Sequence, residues 1–217
     1  MSRVKRGGHL GFGVAVGLIM LGLALCIAGL RRGEVTPPPQ PSASVLAQPG
    51  AADNGAAPGG AGRVRALPPS LPTRIDVPAI GVHAPVVPLG LQRDGKMAVP
   101  PMNKSQETSW YKYGPTPGEV GPAVIVGHVD SKTGPAVFYR LGEVKPGTKV
   151  QISRNDGTRP VFLVYRLERV AKAHFPTERV YGPVRHPAMR LITCGGTFDA
   201  ATGHYLDNII AYAIRIS

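Results

Sequence analysis

The 217-residue sequence predicts an all-β domain, a barrel or sandwich of mostly antiparallel strands, on three observations. Helical periodicity is nearly absent. Short apolar or alternating runs recur instead, each bounded by Gly, Pro, Asn or Asp: Arg74–Val77, Ala84–Leu89, Ala123–Val126, Lys149–Ile152, Val161–Val170, Met189–Cys194 and Asn208–Ile216. Between two of these runs, Asn155-Asp156-Gly157-Thr158 is a hairpin turn signal in which Gly157 supplies the positive φ. Val137–Leu141 reads as a short helix or 3₁₀ turn beneath the strands.

Ahead of this domain, Arg3, Lys5 and Arg6 precede an uncharged run from Leu10 to Leu30. At about 1.5 Å per residue the run makes roughly 31 Å of helix, enough for a hydrocarbon core of about 30 Å. A secretory signal has a shorter apolar core ending in small residues. Leu23-Ala24-Leu25-Cys26 also lacks the small residue that precedes a lipoprotein cysteine. Residues 10–30 are therefore expected to be a retained transmembrane anchor. Residues 1–9 are expected to be a cytoplasmic tail, because three basic residues and the amino terminus outweigh Arg31 and Arg32. The expected location is the plasma membrane, single-pass, with the large domain extracellular.

From Gly33 to Ser70 the composition shifts to Pro, Ala, Gly and Ser with almost no large apolar residue. Such a stretch buries too little surface to offset its ordering entropy, so 31–70 is expected to be a disordered linker. As a flexible coil it would span on the order of 35 Å. Residues 71–217 suit one domain with a single core. That domain carries 18 Lys and Arg against 11 Asp and Glu, part of a chain total of +12. The charges are scattered singly, with no dense basic cluster interleaved with aromatics, so nucleic-acid binding is not expected. A basic extracellular domain suits anionic envelope polymers or lipid headgroups better.

Cys194 is the only cysteine outside the N-terminal apolar segment. An exported chain normally pairs its cysteines or avoids them, so a lone thiol there suggests that the sulfur is used. The competing reading is a buried structural cysteine. Side chains alternate along a strand, which puts Ile192 and Cys194 on one side and Leu191 and Thr193 on the other. Cys194 is expected at the last position of its strand, with Gly195 and Gly196 turning the backbone sharply behind it. His128 ends its own apolar strand, Val124-Ile125-Val126-Gly127, and Asp130 follows. A free thiol is only a few per cent ionised at neutral pH, so a histidine within reach serves as proton acceptor and later as donor. Of the other histidines, His204 is the competitor for that role, while His83, His174 and His186 stand beside prolines or turns. No His, Cys and Asp spacing fits a zinc site, and no cofactor is called for.

These residues bring the sequence to a family. A histidine strand followed by Leu191-Ile192-Thr193-Cys194 resembles the sortases, membrane-anchored cysteine transpeptidases of Gram-positive bacteria. Four further stretches resemble their class F group of actinobacteria: Trp110 to Gly118, Gly127-His128-Val129-Asp130-Ser131, Cys194-Gly195-Gly196-Thr197-Phe198-Asp199, and Thr202 to Asn208. Ile75 to Val82 resembles the family's opening strand, so the likeness covers nearly all of the domain from residue 72 onward.

The resemblance implies a closed eight-stranded β-barrel as the catalytic domain, with sulfur and imidazole converging at one mouth of it. It implies that Cys194 attacks a threonine carbonyl in a sorting-motif peptide of an exported protein, and that His128 moves the protons. An amine nucleophile, a peptidoglycan precursor, then resolves the thioacyl enzyme. Thr193 is a candidate for positioning substrate or oxyanion. The protein is expected to act as a monomer held to the membrane through residues 10–30, without metal or cofactor.

One departure stands out. Sortases place an arginine about a dozen residues after the cysteine, near Leu206 by this alignment, where the chain has His204-Tyr205-Leu206-Asp207-Asn208. Arg215 lies about 23 Å beyond Asn208 along an extended strand and Arg190 about 13 Å before Cys194. Asn208 is the candidate substitute, donating an amide N–H to the oxyanion. The alternative reading is a catalytically impaired sortase-fold protein that binds sorting peptides or envelope components. Papain-like peptidases reverse the Cys and His order, and the Ser-His-Gly-Cys run of L,D-transpeptidases is absent.

Overall fold

The computed structural model describes residues 37–43 and 64–217. The expected tail 1–9 and anchor 10–30 lie outside the described residues, as does most of the 31–70 linker. Among the described residues there are ten strands: β1 (Pro72–Val77), β2 (Val82–Leu89), β3 (Thr108–Tyr111), β4 (Gly121–Gly127), β5 (Asp130–Ser131), β6 (Gly134–Pro135), β7 (Lys149–Arg154), β8 (Val161–Ala171), β9 (Pro187–Asp199) and β10 (His204–Arg215). A short helix, α1 (Thr177–Tyr181), precedes β9. Eight strands close a barrel in the order β1-β2-β3-β4-β9-β10-β8-β7, with β7 returning to β1, while β5 and β6 form a separate small ribbon. Pairing in the barrel is antiparallel except for β2–β3 and β4–β9.

Each strand predicted from its apolar run is found. The eighth, β3, is four residues long and contains Thr108 and Ser109, which breaks the apolar pattern. Both are fully buried, and their hydroxyls donate to the carbonyls of Pro85 and Ala98, each at 2.9 Å. Polar residues satisfied in this way cost little on burial but leave no hydrophobic signature. The Asn155–Thr158 turn forms as expected, with Gly157 at φ +82° and its N–H bonded to Arg154 at 3.0 Å. Leu141–Glu143 is a 3₁₀ turn, and Phe138 and Leu141 are packed into the barrel.

Two hydrophobic clusters lie on opposite faces of the same strands. Ile125, Leu191, Ile209, Ala211 and Ala213 point into the barrel with the larger core. Val124, Val126, Ile192, Ile210 and Tyr212 point outward, where Val180 of α1 covers them with Met97, Val170 and Phe175 at the edge. This two-residue alternation makes β4, β9 and β10 apolar on both faces and gives the barrel a second, external core.

The ordered fold begins before residue 71. Arg154, its side chain wholly buried, donates to the carbonyls of Pro68 and Ser70. The Leu67 N–H bonds Gly118 at 2.9 Å, the Ser70 N–H bonds the Thr116 hydroxyl at 3.1 Å, and Arg215 bonds the Arg65 carbonyl at 2.8 Å. Buried guanidinium groups need acceptors, and this strap supplies them through its backbone, whatever its side chains. Part of the tract expected as linker is therefore part of the domain. So is Pro38–Ala43, which belongs to the same compact unit as the barrel, with Pro38 and Pro41 buried.

Candidate active site

The parallel ladder between β4 and β9 pairs Val124 with Arg190, Ile125 with Leu191 and Val126 with Ile192. Two residues further along stand Cys194, within β9, and His128, the first residue past the end of β4. They share a level on neighbouring strands about 4.8 Å apart. By alternation from Ile192, the Cys194 side chain takes the outer face. On the other side of β9, the antiparallel ladder sets Asn208 of β10 directly opposite Cys194. Opposed residues in such a pair have Cβ atoms about 5 Å apart on the same face. His128, Cys194 and Asn208 thus form a row across three adjacent strands at the rim of the external core. The sulfur is half-buried and unpaired with any other cysteine.

Two expectations about this place are corrected. Cys194 is not the last residue of its strand, since β9 runs on to Asp199. Gly195 and Gly196 do not turn the chain back; they carry a bulge. The pairing shifts from Asp207 opposite Gly195 to Tyr205 opposite Phe198, so β9 has one extra residue there. Gly196 takes φ +75°, and a Cβ on it would stand 2.2 Å from the Asp207 carboxylate. Glycine is required on both counts.

The imidazole is oriented by a group invisible in the sequence. His128 Nε2 lies 2.6 Å from the Pro100 carbonyl oxygen. A carbonyl only accepts, so Nε2 carries the proton of the neutral ring and Nδ1 is left for proton exchange. The segment after His128 is held as well. Asp130 accepts a hydrogen bond from the Tyr205 hydroxyl at 2.5 Å, which ties it to β10. Burial, then this bond and the Asp130 charge, with Tyr139 and Cys194 nearby, push the Tyr205 hydroxyl far above its ordinary range, so it stays a donor at physiological pH. Tyr205 is in a stretch the resemblance quoted, but its role depends on a partner 75 residues away.

Thr193 faces away from Cys194. It is 3% exposed, and its hydroxyl donates to the Gly127 carbonyl at 2.9 Å. Its part is to lock β4 to β9 one residue from both His128 and Cys194, not to reach a substrate on the outer face. Thr193→Val keeps the shape and removes the donor. The expected cost is about 1–3 kcal/mol for the orphaned carbonyl, read as a lower denaturation midpoint with an unchanged slope; an unchanged midpoint would refute this role.

The remaining candidates lie elsewhere. Leu206, near which the family arginine was expected, is exposed, and the ladder puts Asn208 opposite the sulfur instead. Arg190 is buried against the Tyr212 ring at 4.8 Å and bonds the Arg179 and Met189 carbonyls. Arg169 is opposite Ile209, hence on the other face, and pairs with Asp207 at 3.5 Å. His204 is exposed at the start of β10, four residues or about 13 Å from the level of Asn208. His83 pairs with Asp76 on β1 and β2, away from β4 and β9. His186 is pushed below its ordinary range by burial and by Arg190. Among the described residues no group of His, Cys, Asp and Glu is placed to hold a metal ion.

A thiol and an imidazole side by side on a closed barrel are the parts of a cysteine-nucleophile enzyme. Residues 75–216 match the Sortase domain, so the chain belongs to the sortase family of cysteine transpeptidases. No curated protein matches the sequence. Among solved structures it is similar to sortase C-1 from Actinomyces oris, at 19% identity over 66% of this chain and 73% of that one, with a TM-score of 0.52. It is similar to sortase A from Corynebacterium diphtheriae at 18% identity over 71% of this chain and 63% of that one, TM-score 0.51. A third is the complex of Streptococcus agalactiae sortase C1 with MTSET, at 17% identity over 68% and 69%, TM-score 0.52. At these identities the likeness is one of fold.

Proposed function

We propose that this sortase, of the class F type found in actinobacteria, cleaves a sorting motif after threonine and transfers the acyl group to an amine. The observation that carries the reading is the row His128, Cys194, Asn208 at one level of β4, β9 and β10. In the first half-reaction the Cys194 proton passes to His128 Nδ1 and Sγ attacks the threonine carbonyl carbon. As the C–N bond breaks, the imidazolium returns the proton to the leaving amine, and a thioester remains. In the second, an incoming amine attacks the thioester carbon and gives its proton to His128. The C–S bond then breaks and the thiol is restored. The Asn208 side-chain N–H faces the carbon at which negative oxygen develops, the role the family gives to arginine. The acceptor proposed is a peptidoglycan precursor, with the chain anchored by residues 10–30 and the barrel outside the plasma membrane.

The test is incubation of the full chain with peptides varied around a Leu-Pro-x-Thr-Gly core, with mass analysis of the fragments. The expected result is release of the portion after threonine, abolished by a thiosulfonate reagent. The second reading, a sortase-fold protein that binds sorting peptides without turning them over, is favoured by the lack of an arginine near Leu206. Wild-type inertness across the peptide set, with retained peptide binding, would select it.

A further inference from the structure

We infer that the groove between the 3₁₀ turn Leu141–Glu143 and the β9 bulge is a binding site for an extended proline-rich peptide, and that its ligand is Pro38–Pro41 of this same chain. The tract lies with its backbone against Gly142 and with the Gln40 side chain against β9. A Cβ on Gly142 would meet the Pro39 carbonyl oxygen at 2.0 Å, and one on Gly195 would lie 3.5 Å from Gln40 Oε1. Gln40 is fixed at both ends of its amide. Its Oε1 accepts the Gly196 N–H at 2.9 Å, and its Nε2 donates to the Pro38 carbonyl at 2.9 Å. Pro38 and Pro41 are buried.

The composition that argued for disorder explains the docking. Proline has no N–H to satisfy and is already restricted in φ, so a Pro-Pro-Gln-Pro segment loses little entropy on binding and buries no orphan donor of its own at the prolines. Gln40 supplies the one oriented acceptor the groove needs. A ligand carried on the same chain as its site binds intramolecularly, at an effective concentration of order millimolar. Weak contacts are then enough for occupancy. The Gly196 N–H, two residues along β9 from Cys194, is thereby taken up by the tract. The tract's effect on turnover rests on the transpeptidase reading; its occupancy of the groove does not.

The experiment compares the full chain in detergent with Gln40→Ala, with the triple variant Pro38→Ser, Pro39→Ser, Pro41→Ser, and with Gly142→Ala, which alters only the barrel wall. Two readouts need no catalysis: hydrogen exchange at the Gly196 amide, and the rate of Cys194 alkylation, resolved from Cys26 by peptide mass analysis. Gln40→Ala should raise Gly196 exchange about fivefold, the order of one neutral hydrogen bond. The triple variant and Gly142→Ala should raise it further and speed alkylation. A synthetic Pro-Pro-Pro-Gln-Pro-Ser-Ala peptide at millimolar concentration should restore protection to the triple variant but not to Gly142→Ala. Equal exchange and equal alkylation in the wild type and all three variants would overturn the assignment. If sorting peptides are cleaved while those rates stay equal, the groove ligand falls and the transpeptidase stands. If the rates change as expected while no peptide is cleaved, the reverse holds.

Discussion

Cys194→Ala and His128→Ala are each expected to lower kcat/KM for sorting-peptide cleavage by roughly 10⁴-fold or more, and the double variant is expected to be no worse than either alone. Nucleophile and base act as one unit, so removal of either abolishes the same step and the losses do not add. The physical basis is the shared level of the two residues on adjacent parallel strands, with the ring held by Pro100 so that Nδ1 is free for the thiol proton. The two variants should differ in what survives. His128→Ala keeps the sulfur and should still be labelled by a thiol reagent, whereas Cys194→Ala should not be labelled in the barrel. Both should unfold at the wild-type midpoint, since neither side chain belongs to the packed core. Cleavage by His128→Ala within tenfold of the wild type would assign the proton transfer to another group.

The second large effect is expected at Asn208. Asn208→Ala should reduce kcat by about 10²- to 10³-fold with little change in KM, the usual cost of one oxyanion donor. Asn208→Asp should be at least as damaging, because a carboxylate opposite the sulfur repels the charge that develops on the substrate oxygen. The measurement is a steady-state comparison on one cleaved peptide, with thiol alkylation as a check that the site is intact. A rise in KM with kcat unchanged would mean that Asn208 binds the ground state and the transition state alike. An unaffected kcat would leave the oxyanion to backbone donors. The assignment is sharper than an arginine count allows. Arg190, Arg169 and Arg215 are each bonded elsewhere, and none shares the outer face at the level of the sulfur.

The strand runs were legible because a half-buried or doubly buried strand must alternate or stay apolar. β3 was not, because Thr108 and Ser109 are buried with their hydroxyls satisfied by carbonyls that only the folded chain brings near. Cys194 and His128 were legible as rare reactive types at the ends of apolar runs. The orientation of the ring was not, since it rests on the carbonyl of Pro100, which carries no side-chain signal. The tract around Gln40 was misread for a related reason. Proline-rich composition reports that a segment cannot build its own core; it does not report whether a neighbouring groove accepts it. The same holds for the strap at 64–70, held by the needs of Arg154 and Arg215 and not by its own apolar content.

By itself the sequence determined the all-β class, the lone thiol and the histidine after an apolar run that are proposed to react, and the lack of an arginine near Leu206, because each follows from local pattern or residue type. Tertiary structure alone decided that Asn208 opposes the sulfur, that Thr193 locks two strands and does not face a substrate, and that a proline tract lies beside Gly196. Those facts are set by ladder register and by contacts across 66 to 156 residues of chain. A one-residue slip would turn every one of these side chains to the opposite face.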